Sequence, residues 1–224
     1  MVSKLKRDQI PTEKATNWKN NFNEESKHTF NLDLPKIILQ KETYKTLIGD
    51  NENRVRIYFG LETDKKDGKY QLCAFAVSAF LLGSGDVYAD YETPVYKLEE
   101  VNIDVSDKVK TVIESIRLYR QWRSGELDED HSGAQYRQYI YPNAFLLTKF
   151  ELHELFNVQN SKEIKFELGI AKTMTAMVSP YKSPTSDVML KSATTGEDEE
   201  EQGPFDFIEP CPPNCDERSV FNPS

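Results

Sequence analysis

Two cysteines, Cys211 and Cys215, stand four residues apart in EPCPPNCDERS (residues 209–219), and no other pair of side chains in the sequence is better placed for chemistry. Their thiolates could ligate a metal or cycle with a disulfide. The three intervening residues exceed the two of a zinc knuckle or a thioredoxin-like pair. A zinc site would need two further ligands; Asp216 and a histidine from elsewhere could serve, but the spacing does not demand them. A Cys211–Cys215 disulfide is geometrically possible, though a reducing compartment disfavours it. Pro210, Pro212 and Pro213 remove three backbone donors and favour polyproline II, so the segment loses little entropy on docking. With Phe205, Phe207, Ile208, Val220 and Phe221 around it, the tail reads first as a docking peptide. Metal ligation or redox pairing through Cys211 and Cys215 is the alternative.

The remaining chemical patterns are weaker. DEDHSG (128–133) opens like a calcium loop, but the twelfth position, where a bidentate Glu is needed, is Tyr139. GSGD (83–86) follows an apolar run as phosphate-cradling loops do, yet it lacks the further Gly and the Lys-Ser/Thr of a P-loop. His153 sits on the second short helix with Glu151 and Glu154 as neighbours and reads as a surface residue; His28 and His131 are expected in polar loops. No Ser-His-Asp or Cys-His grouping can be nominated. No catalytic residue is assigned, and no residue pattern calls for a cofactor. Cys73, inside LCAFAVSAFLL (72–82), reads as a small core hydrophobe.

The bulk composition points the same way. With 224 residues, 38% hydrophobic and 29% charged, the chain can bury one sizeable core, or two small ones sharing an interface, with solvated ends. A formal charge of −9 argues against nucleic acid and anionic lipid, since both require a basic surface. No apolar run approaches the roughly 20 residues of a membrane span, and no secretory pattern follows the basic MVSKLKRDQIPTEK start. Three cysteines without a signal predict a reducing cytoplasm.

An internal repeat supplies the elements. PKIILQKETYKTLIGDNENRVRIYFGLE (35–62) aligns with PNAFLLTKFELHELFNVQNSKEIKFELGIA (142–171). Ile37-Ile38-Leu39 answers Phe145-Leu146-Leu147, and Tyr44, Leu47 and Ile48 answer Leu152, Leu155 and Phe156. Val55, Ile57, Phe59 and Leu61 answer Ile164, Phe166, Leu168 and Ile170, with Gly60 opposite Gly169. Thr148 and Glu151 have capping-box spacing, and Gly49 and Asn157 stand where each helix stops. The strands alternate, which predicts Arg54 and Arg56 on a wet face. Asp67-Gly68 predicts a hairpin turn returning through QLCAFAVSAF (71–80), apolar on both faces and therefore central. AVSAF (76–80) is matched to MVSPY (177–181).

IPTEKATNWKNNF (10–22) predicts a first helix with Pro11 in its first turn and Ala15, Trp18 and Phe22 as its apolar stripe. SDKVKTVIESIRLYRQWRSG (106–125) predicts a longer one, N-capped by Ser106, with Val109, Val112, Ile113, Ile116 and Tyr119 as its face and Gly125 as its stop. From Lys182 the composition turns to Ser, Thr, Pro and acid, including Glu197 to Glu201, which predicts a disordered linker.

Taken together, RVRIYFGLETDKKDGKYQLCAFAV (54–77) and the terminal PCPPNC (210–215) resemble a group of uncharacterised small cytoplasmic proteins of Bacteroidota. Those have a helix, an RIYFGL…DGK hairpin and a Pro-Cys-Pro-rich tail. The resemblance covers the N-terminal third and the tail and implies a lineage and a plan rather than a reaction; residues 86 to 181 are additional to it.

The expected fold is α+β: an antiparallel sheet from two related helix-strand-hairpin units (35–80 and 142–181), helices mainly on one face, and a helical insertion at 106–125. This core domain spans 1–181, followed by an acidic flexible linker (182–204) and a Pro/Cys-rich tail (205–224). The expected role is a non-enzymatic cytoplasmic interaction protein, a subunit or adaptor of a larger assembly. It would work through a protein partner or self-association, without nucleic acid or membrane insertion; the tail could also fold back and complete its own sheet or pair with a second copy.

Overall fold

A computed structural model describes residues 9–29, 36–63, 70–83, 87–127, 134–181, 204–206, 208–211 and 215–222. The Asp67-Gly68 turn, the calcium-like loop at 128–133, the linker up to residue 203, and Phe207, Pro212 and Pro213 lie outside these residues, as does GSGD beyond Gly83.

In chain order the elements begin with α1 (Thr12–Thr29), β1 (Ile37–Gln40), α2 (Lys41–Ile48), β2 (Arg54–Thr63) and β3 (Tyr70–Leu81). Then come β4 (Tyr88–Lys97), β5 (Ile103–Asp104) and a 3-10 turn at Ser106–Lys108 that opens α3 (Val109–Ser124). α4 (Ala134–Ile140) leads to β6 (Ala144–Leu147). α5 (Lys149–His153) runs into a π turn at Glu154–Val158, then β7 (Glu163–Ile170), β8 (Met174–Tyr181) and β9 (Ile208–Cys211). The fold is α+β with antiparallel sheets. Its strands divide into a three-stranded sheet, β1-β7-β8, and a six-stranded one, β5-β4-β3-β2-β6-β9.

The two halves are built alike and each completes the other's sheet. Strand β1 of the first half pairs with β7 of the second, and β6 of the second pairs with β2 of the first. Ile37 faces Phe166, and at the equivalent place Phe145 faces Ile57. Ile38 faces Lys165 as Leu146 faces Arg56. Each half's sheet is extended by a strand from the other, so the core belongs to both. Between the sheets lie Val55, Ile57, Phe59 and Leu61 of β2 and Ile164, Phe166 and Ile170 of β7, with Tyr44, Leu47, Leu152, Leu155 and Phe156 from α2 and the α5 segment. Tyr44 stacks on Phe156 with centroids 4.6 Å apart. Each fully buried Ile, Leu or Phe contributes about 1.5–3 kcal/mol.

The equivalence reaches the long helices, which the sequence repeat did not include. α3 crosses β2 at Gly60, where an added Cβ would stand 2.8 Å from the Phe75 ring and 3.0 Å from Cβ of Ser115. α1 crosses β7 at Gly169, where it would stand 3.0 Å from Cε of Met177 and from Cβ of Trp18. Glycine at both crossings lets a helix backbone close on a strand. Each outer sheet face is therefore covered by the helix that precedes the other half's repeat, α3 on β2 and α1 on β7.

Four local expectations are corrected. The β2–β3 ladder sets Ala76 opposite Ile57, while the β7–β8 ladder sets Val178 opposite Phe166. Ala76 therefore corresponds to Val178, one residue beyond the match drawn from AVSAF and MVSPY. Because side chains alternate, a one-residue slip exchanges faces. Burial follows the ladder, with Ala76 and Val178 both in the inter-sheet core. Ser106 does not cap α3: its Oγ accepts from the Val95 amide at 3.0 Å and donates to Asp104. The positive φ that ends the second unit's helix is at Asn160 (54°), not Asn157, because the π turn carries the chain further. Arg54 and Arg56 do not face water; they are 9% and 1% exposed.

Candidate functional site

The buried face that holds those arginines is the outer face of the six-stranded sheet, and the C-terminal tail lies across it. β9 pairs antiparallel with β6, Cys211 opposite Ala144 and Ile208 opposite Leu147. The Asn143 amide donates to the Cys211 carbonyl at 2.8 Å. The tail is thus seated on its own body rather than free. Cys211, Phe205 and Phe221 are buried, Ile208 is half-buried, and Pro210 is exposed on an edge strand, where its missing donor costs no ladder bond. Phe205 exchanges two backbone bonds with Val178 of β8 at 2.8 and 2.9 Å, which ties the start of the tail to the other sheet.

Cys211 and Cys215 are joined by a disulfide, with Cα atoms 4.9 Å apart. The bond is the oxidised form of the redox pair. In this state neither sulfur is a metal ligand, and no group of three or more His, Cys, Asp or Glu among the described residues could hold a metal. Asp216, considered as a zinc ligand, instead serves the backbone. Its Oδ2 accepts from the Asp90 amide at 2.9 Å and its Oδ1 from the Arg218 amide at 3.0 Å.

Beneath the tail is a polar cluster contributed by β2 and β4, the two strands that flank β3. Arg56 of β2 forms an ion pair with Asp90 of β4, both side chains 1% exposed, and reaches the Tyr88 carbonyl at 3.2 Å. Tyr58, two residues along the same strand face, donates to Oδ2 of Asp90 at 2.5 Å. The Ser219 hydroxyl of the tail lies within hydrogen-bond reach of both Tyr58 and Asp90. It also accepts from the Phe221 amide at 3.2 Å. Phe221 closes the cluster with its ring 5.8 Å from that of Tyr58. Arg54 gives the seat its outer end. Its Nε donates to the Leu147 carbonyl at 2.8 Å, its Nη2 meets Glu209 of β9 at 2.9 Å, and its guanidinium stands over the Tyr88 ring at 4.8 Å.

The electrostatics are those of a dry, paired site. Burial pushes the Asp90 carboxyl above its ordinary range, opposed by Arg56 and by the hydroxyls of Ser219 and Tyr58. Burial, with the Asp90 charge beside it, pushes the Tyr58 phenol up. A buried ion pair is tolerated only when its remaining polar atoms are satisfied; the tail supplies Ser219 to the Asp90 carboxylate, while Asp216 takes up the Asp90 backbone amide. Cys73 lies in the same apolar cluster as Cys211; burial pushes its thiol far up, which suits an inert core residue. His153 is a surface residue, with its Nδ1 2.9 Å from Nδ2 of Asn157.

Sequence reasoning nominated the tail but missed its seat. Arg54, Arg56, Tyr58 and Asp90 carried one readable signal, two arginines alternating with apolar residues in a strand next to one apolar on both faces. A buried neighbour on that side requires a cover, and the cover comes from residues distant in sequence. Among the described residues, no helix is long and apolar enough to cross a membrane. Compared with protein-family models, with curated proteins and with solved structures, the chain gives no match.

Proposed function

We propose that this is a non-enzymatic, cytoplasmic protein-interaction protein, a subunit that assembles through its C-terminal tail, and that the partner is a second copy of the same chain. One observation carries the reading. The body holds a built seat for the tail: the β6 edge that β9 pairs with, Arg54 of β2 at its outer end, and the Arg56–Tyr58–Asp90 cluster. The tail reaches it only through residues 182–203. That length of chain spans up to about 75 Å when extended, enough to place β9 and the plug on a neighbour's identical seat. Addition of an extended segment to a sheet edge is a recurrent docking mode in which main-chain bonds give affinity and side-chain pockets give specificity. Exchange of an identical element between copies needs no new contacts. The acidic balance of the chain favours a protein partner over nucleic acid.

The Arg54–Glu209 ion pair provides the test, because it joins body to tail. A copy with Arg54→Glu and a copy with Glu209→Arg each set like charges together when the tail stays at home. Mixed, they match charges at both seats of an exchanged dimer. Size-exclusion chromatography with light scattering is expected to show weak association of each variant alone and a heterodimer on mixing. Monomers throughout, in the mixture and in concentrated wild type, sink the proposal.

A further inference from the structure

We infer that the Cys211–Cys215 disulfide is a redox-controlled fastener of the tail, and that its reduction by a dithiol releases residues 215–222 from the sheet while β9 stays paired. The inference rests on the docking role proposed for the tail and supplies its regulation.

The geometry separates two parts of the tail by the way each is held. Residues 208–211 are held by a backbone ladder to β6, by the Asn143–Cys211 bond and by the Arg54–Glu209 pair. Residues 215–222 have no ladder. They hold themselves by short turns, with the Ser219 amide on the Asp216 carbonyl at 3.2 Å and the Asn222 amide on the Ser219 carbonyl at 2.9 Å. They touch the body through Asp216 on the Asp90 amide, Ser219 at Tyr58 and Asp90, and Phe221 against Tyr58. The disulfide is a second covalent tie, beside the main chain itself, between the zipped part and the plug. The plug it holds lies over the buried Arg56–Asp90 pair.

The two sulfurs differ in access. Cys211 is fully buried and Cys215 half-buried. A thiolate of the dithiol attacks Sγ of Cys215, the S–S bond breaks, and Cys211 leaves as a thiolate that takes up a proton. The second thiol of the reductant then displaces Cys215 as a thiol and closes the reductant's own disulfide. Two electrons and two protons pass to the protein, and the dithiol is oxidised. In a reducing compartment, disulfides that persist are usually of this exchanging kind. Without the cross-link the plug regains its freedom relative to β9, and its opening equilibrium rises on the order of tenfold to a hundredfold for so short a loop. An opened plug leaves the β9 ladder and the Arg54–Glu209 pair as the remaining holds at this seat, which lowers the cost of exchanging β9 and the plug together.

The test is amide exchange followed by NMR on the full chain, before and after dithiothreitol, with Cys215→Ser as a second route to the same state. The Asp90 amide, bonded to Asp216, is expected to exchange at least tenfold faster on reduction, and the Asn143 amide, bonded to Cys211, to keep its protection. Cys215→Ser should exchange at Asp90 like the reduced wild type and stop responding to dithiothreitol. Equal protection of Asp90 in both states overturns the inference. So does a parallel rise at Asn143, which would mean unfolding rather than release, or three alkylatable thiols in protein isolated without reductant. The docking proposal fails separately: absence of the Arg54→Glu and Glu209→Arg heterodimer in either redox state sinks it without touching the Asp90 result.

Discussion

Gly60 of β2 lies against Ser115 of α3 so closely that a Cβ on the glycine would stand 3.0 Å from the serine's own Cβ. It would also stand 2.8 Å from the Phe75 ring and 3.1 Å from the Cys73 sulfur. None of these neighbours is the free end of a flexible chain, so a methyl there must move a helix or a packed ring. Gly60→Ala is expected to destabilise the fold by about 1–3 kcal/mol, the usual range for overpacking. At the equivalent crossing, Gly169 meets the terminal methyl of Met177 and Trp18. Met177 can yield more readily, so Gly169→Ala should cost less. Urea unfolding of the two variants gives the order directly, and a larger loss for Gly169→Ala would contradict it.

That pair also marks what could be read from the sequence. The repeat of β1, α2 and β2 in β6, α5 and β7 was legible because alternation and helical spacing are local. So was the central place of β3, apolar on both faces. The cross-pairing was not, because a strand's pattern states which face is buried and not which strand lies beside it. The helices α1 and α3 belong to the repeat through their packing at Gly60 and Gly169, and their sequences share little beyond an apolar stripe. At the site, the tail's aromatic and proline content announced docking. The seat stayed hidden because Arg56, Asp90 and Asp216 meet only through tertiary contact. Alternation assigned Arg56 to water since nothing nearby in sequence offers it a carboxylate.

The Arg56–Asp90 pair invites a double-mutant cycle. Both side chains are 1% exposed, so Asp90→Ala leaves a buried guanidinium without this carboxylate and is expected to cost about 3–5 kcal/mol. Arg56→Met should be similarly costly, since Asp90 then keeps only its hydroxyl donors. Removing both should cost less than the sum, with a coupling of about 1–3 kcal/mol. Additive losses in chemical denaturation would mean that the two charges are not stabilised by each other.

Tyr44 predicts an alkaline dependence. Burial, with Glu52 adding to it, pushes its phenol up to about 12. An unfolded tyrosine ionises near pH 10, so between pH 10 and 12 the folded chain retains a proton that the unfolded chain has released. Its contribution to stability is fully present below pH 10 and is lost as the pH rises toward 12. Tyr44→Phe removes this slope. Unfolding curves from pH 9 to 11.5 should show the wild type losing stability faster than the variant above pH 10. Parallel curves would mean that Tyr44 titrates alike in both states.

Phe221 and Phe145 are both buried aromatic side chains, at 0% and 2% exposure, yet their truncation should have different consequences. Phe145 sits between the sheets, edge-on to Phe59 with centroids 5.3 Å apart, on the strand that joins the halves. Phe145→Ala therefore acts on the one cooperative core and is expected to cost about 3–5 kcal/mol of global stability. Phe221 belongs to the plug, which meets the body through a few side-chain contacts. Its truncation can cost no more than the free energy that holds the plug shut, because beyond that point the plug opens and the body persists. Phe221→Ala should thus leave the thermal midpoint within a few degrees of wild type while sharply raising proteolytic cleavage after Arg218. A midpoint drop as large as that of Phe145→Ala would mean that the plug is part of the folding core, and that it could not leave its seat without unfolding the protein.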